Sequence, residues 1–143
     1  MRQLRRALRQ GQLEPALAAV SRLLGLGSGL TASGDDFVIG LLLLLQRWPQ
    51  PQLLAGQGQR FSEAVVAAAY RSSTRLSANL IECAARGQAD ERLLNLADCL
   101  VTGNPDPAGC LAPLLSWGAS SGVDTLAGMA VALDLLAPDE RWA

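Results

Sequence analysis

Ser33-Gly34-Asp35-Asp36-Phe37-Val38-Ile39-Gly40-Leu41-Leu42-Leu43-Leu44-Leu45 opens with hydroxyl, glycine and carboxylates and runs into unbroken apolar sequence. A helix apolar almost all round is buried on every side, so the spacing predicts a central helix over Asp35 to Trp48, stopped by Pro49-Gln50-Pro51. The opening pattern Ser-Gly-x-Asp-x-x-x-Gly recurs at Ser121-Gly122-Val123-Asp124-Thr125-Leu126-Ala127-Gly128, and again leads into apolar sequence up to Leu136, with Pro138 read as the stop. Gly40 and Gly128 each stand four residues after an aspartate, on the same helical face. Glycine inside a helix costs roughly 0.5–1 kcal/mol against alanine, and close backbone approach is what such a glycine permits. The expectation is an internal pseudo-repeat, in which two central helices cross near these glycines and bring the N-termini carrying Asp36 and Asp124 together.

Outward from this pair, the punctuation is helical throughout. Met1 to Gln10 has Arg2, Arg5, Arg6 and Arg9 on one face and Leu4, Ala7 and Leu8 on the other, with Gly11 as the stop. The arginine stripe reads as a solvated face. Further helices are expected over Pro15 to Leu24, Phe61 to Tyr70, Ser73 to Arg86 with Gly87 as cap, and Ala89 to Thr102 with Asp90 as N-cap and Gly103 as stop. Another starts at Asp106-Pro107 and is kinked or restarted at Pro113. No window alternates as a strand does. The fold class is therefore all-α, a single domain over 1–143 with about seven or eight helices.

Composition restricts the chemistry. The 143 residues, half of them apolar, suffice for one real core, and a net charge of −1 gives no electrostatic case for nucleic acid. There is no histidine, so a Ser-His-Asp triad, a histidine metal cage and an imidazole base are excluded within the chain. Every basic residue is arginine, which excludes a P-loop or Schiff-base lysine. Cys83, Cys99 and Cys110 form no Cys-x-x-Cys pair and read as core thiols of a cytoplasmic protein. Arginines interrupt the N-terminal segment where a signal peptide would be apolar, and the longest apolar run is too short to span a membrane.

What remains for chemistry gathers at the two N-termini. Asp35, Asp36 and Asp124 are the candidate catalytic carboxylates, with Gly27, Ser28, Gly29, Thr31, Ser33, Gly34, Ser120, Ser121 and Gly122 as the candidate binding shell for a small anionic substrate. Three carboxylates repel a phosphate unless a hard cation lies between them, so Mg²⁺ on Asp35, Asp36 and Asp124 is the metal expectation. A metal-free alternative has the carboxylates accept hydrogen bonds from an amide, amine or sugar hydroxyl. The structural alternative is that Ser33 with Asp36, and Ser121 with Asp124, are capping boxes. Arg71, Thr74, Arg75 and Ser77 form a third polar cluster, from which Arg75 and Ser77 join the candidate shell.

Residues 24–37, Thr74-Arg75-Leu76-Ser77 and Gly118 to Asp124 resemble the AllH-like family, and the resemblance extends over about residues 12–136. It implies a part in carbamoyl transfer between oxamate and carbamoyl phosphate, in allantoin catabolism, alongside other subunits. It likens the chain to the C-terminal helical half of longer members. Ala32 stands where proline is usual and Ala119 where histidine is expected, which favours a subunit-like or binding role over a self-sufficient enzyme. Two other classes stay open: a magnesium hydrolase loosely similar to ADP-ribosylglycohydrolases, and a non-catalytic helical partner whose apolar surface docks another subunit or a second copy.

Overall fold

A computed structural model describes residues 1–103 and 106–136. The described residues form eight α-helices and one short 3-10 turn, with no strand: α1 (Arg2–Arg9), α2 (Leu13–Ser21), α3 (Ser33–Arg47), the 3-10 turn (Leu53–Gly56), α4 (Gly58–Ser72), α5 (Arg75–Ala85), α6 (Glu91–Thr102), α7 (Pro107–Leu115) and α8 (Ser121–Leu136). The all-α expectation holds. Pro138, read as the stop of the last helix, lies outside the described residues.

The principal packing is α3 on α8, as the apolar sequence of both demands. From Gly34 to Leu44 every residue of α3 is buried. The glycines allow the crossing: a Cβ on Gly40 would collide with the carbonyl of Thr125, and one on Gly128 with the carbonyl of Phe37 and the amide of Leu41. Side chains at either position would force the backbones apart. The motifs' other glycines also lie on backbone, Gly34 against the carbonyl of Leu23 and Gly122 against that of Leu114.

Around this pair, α5 packs on α3, α4 on α5 and α2, α1 on α2, and α7 on α6. Asp90 and Asp106 cap α6 and α7 through their side chains, and Thr74 caps α5 by accepting from the amide of Ser77. The arginine face of α1 is partly used: Arg5 pairs with Asp134 of α8 at 3.1 Å, and Arg9 donates to the Asp134 carbonyl. Pro113 is accommodated within α7. All three cysteines are free; Cys99 is buried, and the neighbouring Cys110 thiol, together with burial, pushes Cys99 up to about 11.

Two local readings change. The capping box at α3 does not form: Ala32 is the N-cap in extended conformation, without a side-chain cap, and Ser33 is already the first helical residue. Asp36 instead accepts from Thr31, a residue upstream of the helix. The 3-10 turn is an addition, and its Leu54 and Ala55 adopt positive φ (54° and 49°). Burial of Leu54 in the core draws the chain into that conformation against its local preference.

Candidate functional site

The α3–α8 crossing juxtaposes the two N-termini at one polar contact set. Thr31 Oγ1 donates to Asp36 Oδ2 at 3.0 Å and lies 3.4 Å from Ser121 Oγ. The Ser121 hydroxyl lies near enough to act on the Asp36 carboxyl, and Asp124, one turn further along α8, is close enough for its charge to act on it too. Asp36 is only 4% exposed. Burial pushes its carboxyl above the usual range, the Ser121 and Thr31 hydroxyls work in the opposite direction, and the Asp124 and Asp35 charges add to the rise. One oxygen of Asp124, Oδ2, is buried without a hydrogen-bond partner.

Asp35, adjacent in sequence, is engaged elsewhere. Its Oδ1 accepts from the Gly25 amide at 2.8 Å and from Ser73 Oγ at 2.7 Å, tying the glycine-rich loop and the α4–α5 junction to the start of α3. Its Oδ2 is buried and unpartnered, in a residue with no exposed surface. Successive helical positions differ by about 100°, so Asp35 and Asp36 look toward different neighbours. Among the described residues no group of three or more His, Cys, Asp or Glu is placed to hold a metal ion. A metal reading therefore rests on Asp36 and Asp124 rather than on all three carboxylates.

Thr31 and Asp36 also line a pocket of about 290 Å³. Its apolar wall comes from Ile39 of α3, Leu80 of α5, Leu93 of α6 and Trp117, with Cys83, Gln88, Ala89 and Asp90 completing it. Asp90 accepts from the Arg92 amide at 3.0 Å and from the Arg92 guanidinium at 2.8 and 3.0 Å, and these bonds hold its carboxyl below the usual range. The same guanidinium lies 4.7 Å over the Trp117 ring. Asp90, Arg92 and Trp117 thus form a braced rim in which the cation is already shared between a carboxylate and an aromatic face.

The remaining candidates fall into three groups. Gly27, Ser28 and Gly29 are exposed in the loop before α3, and Ser120 is exposed before α8, where its carbonyl accepts from the Asp124 amide. Gly34 and Gly122 serve packing, and their amides are bound to the carbonyls of Leu26 and Trp117. Ser33 is half-buried at the start of α3, Ser77 is buried and bonded to Thr74, and Arg75 is exposed. The pocket walls on α5 and α6 were not marked as site residues. Asp90 carried only its capping signal and Trp117 only its place before Gly118, and neither spacing announces a wall that exists by tertiary packing.

Fold and site together define an all-helical protein with a small, acid-lined pocket beside two converging helix N-termini. The chain belongs to the AllH family, described as oxamate carbamoyltransferase subunit AllH, whose profile matches residues 23–133. That span contains both motifs and every residue lining the pocket. No curated protein and no solved structure gives a significant match. No helix among the described residues is long and apolar enough to cross a membrane.

Proposed function

We propose that this chain is a subunit of an oxamate carbamoyltransferase-type enzyme and contributes the Asp36 pocket as a ligand site, without being competent for carbamoyl transfer alone. The observation that carries the reading is the family match over residues 23–133, which encloses that pocket. A buried carboxyl with a raised pKa at the edge of an otherwise apolar cavity is suited to hydrogen-bonding and to exchanging a proton with a bound group. Dependence on partners is supported by what the chain lacks, namely any histidine or lysine, and by exposed Leu26 and Leu30 in the loop before α3 and Val123 in the first turn of α8. A homo-oligomer would cover the same side chains. Mg²⁺ is a candidate cofactor at Asp36 and Asp124, which would hold it with water completing its shell.

The test is an assay of carbamoyl transfer between carbamoyl phosphate and oxamate by the chain alone and with proteins that co-purify with it, with and without Mg²⁺. The isolated chain is expected to be inactive, the assembly active, and the assembly containing Asp36→Asn impaired. Turnover by the isolated chain would refute the subunit reading. Full activity of the Asp36→Asn assembly would remove the pocket from the chemistry.

A further inference from the structure

The three thiols form no motif in the sequence, yet two of them meet in the fold. Cys99 of α6 and Cys110 of α7 line one cavity of about 440 Å³ between these packed helices, together with Arg92, Asp98 and Thr102. Cys99 is 5% exposed and Cys110 is half-buried, so the pair leads from the core to the surface. The thiols are near enough to act on each other: the Cys110 thiol first, and burial second, push Cys99 up to about 11. Cys99 therefore keeps its proton at neutral pH, and the sulfur open to attack from solvent is that of Cys110. Cys83, on α5, stands apart from this pair and lines the Asp36 pocket.

We propose that Cys99 and Cys110 are a redox-reactive dithiol, which a hydroperoxide converts to a disulfide that pins α6 to α7. The Cys110 thiolate attacks one peroxide oxygen; the S–O bond forms, the O–O bond breaks, and the departing oxygen takes up a proton. The Cys99 sulfur then attacks the Cys110 sulfenic acid; the S–S bond forms, the S–O bond breaks, and the Cys99 proton leaves with that oxygen as water. Two thiols and one hydroperoxide thus give one disulfide, one water, and the alcohol or second water left from the peroxide, with two electrons passing from sulfur to oxygen. A thiol reductant reverses the change. The helices so joined already meet through Arg92 of α6 and Trp117 just beyond α7, whose cation–ring contact at 4.7 Å belongs to the rim of the Asp36 pocket. Cys99 lies two turns along α6 from Arg92, so the disulfide fixes the helix pair that carries this rim.

The experiment exposes the whole folded chain to stepwise amounts of hydrogen peroxide and maps the thiols by trypsin digestion without reductant. Cleavage after arginine leaves Cys99 and Cys110 together in peptide 93–141 and Cys83 in peptide 76–86. The first peptide is expected to become lighter by about 2 Da, the two thiol hydrogens, and to regain them with dithiothreitol, while Cys83 remains open to alkylation. Cys99→Ala, its folding verified by circular dichroism, is expected to stop at a Cys110 sulfenic acid that dimedone traps and that wild type does not accumulate. Cys110→Ala, the second variant, is expected to leave Cys99 reduced at the same dose. Oxidation of Cys83 ahead of the pair, sulfinic acid on Cys110 without the loss of mass, or Cys99 oxidised as readily in Cys110→Ala would each overturn the proposal. The oxidised wild type is expected to melt at a higher Tm than the reduced protein. A lower Tm would reveal a bond forced by distortion and refute a pair already in place.

Discussion

Replacing Gly128 by alanine sets two physical effects against each other with opposite signs. By helix propensity alone, Gly→Ala inside α8 stabilises by up to about 1 kcal/mol. In the structure the new Cβ would collide with the Phe37 carbonyl and fall 2.8 Å from the Leu41 amide nitrogen. These obstacles are backbone atoms of a helix buried on all sides, so no rotamer change relieves them and α3 and α8 must separate along their main contact. Overpacking a core costs about 1–3 kcal/mol, and a backbone obstacle belongs at the upper end. Taking about 3 and subtracting about 1 for propensity leaves a net loss of about 2 kcal/mol. For a chain of this size that lowers Tm by roughly 7 °C. Urea unfolding followed by circular dichroism measures it, with Gly58→Ala as control: Gly58 has no atom within 4 Å of a new Cβ, so that change is expected to be neutral or slightly stabilising. A Gly128→Ala protein as stable as wild type or more stable, with an unchanged m-value, would refute the close crossing and with it the placement of Asp36 beside Ser121.

Asp36→Asn is expected to raise stability at neutral pH. The folded-state pKa is raised, so the folded state binds the proton more tightly than the unfolded one; wild-type stability then falls as pH rises from about 4 toward the folded pKa, whereas the asparagine variant lacks that slope and its advantage vanishes in acid. Paired denaturant melts across that range check the sign, and a variant less stable at neutral pH would contradict it. Asp35→Ala should behave oppositely, losing about 2–4 kcal/mol because the Gly25 amide and the Ser73 hydroxyl lose their shared acceptor; a loss under about 0.5 kcal/mol would show that this tie carries little. Thr31→Val should cost about 1–2 kcal/mol and raise the Asp36 pKa further by deleting a hydrogen bond to its carboxylate, the pKa being readable by carboxyl ¹³C titration.

The fold was legible because its decisive signals are local. All-round apolarity marked α3, glycine and proline marked the helix ends, and the four-residue spacing of Asp36 to Gly40 and Asp124 to Gly128 carried the crossing. What was not legible depends on contacts distant in sequence. Nothing in Leu53–Gly56 signals positive φ at Leu54 and Ala55, because that conformation follows from the pull of the core on Leu54. Arg2, Arg6 and Arg9 of α1 are exposed, as read, but the pairing of Arg5 and Arg9 with Asp134 was not legible because Asp134 lies more than a hundred positions further along the sequence. Boundaries moved by a few residues for the same reason: Ser33 has the composition of a cap, but the hydroxyl that reaches Asp36 is that of Thr31.

The site shows where composition misleads about role. Asp35 and Asp36 are indistinguishable as residue types and adjacent in sequence, yet one helical step sends Asp35 to the Gly25 amide and Ser73, and Asp36 to Thr31, Ser121 and the pocket. The first is a staple between loop and helix junction. The second stands where a ligand can reach it, with Asp124 near enough to raise its pKa. A glycine-rich loop before a helix suggests free amides, but here the amides of Gly34, Asp35 and Asp36 are spent on the carbonyls of Leu26 and Ala32. With these amides internally bonded and carboxylate oxygens of Asp35 and Asp124 unmet, the site is poorly suited to be a phosphate cradle. An enzyme handling carbamoyl phosphate must neutralise its phosphate somewhere. In this chain the residues around Asp36 are not equipped to do so, and that is the physical reason to look for the complementary cations on another subunit.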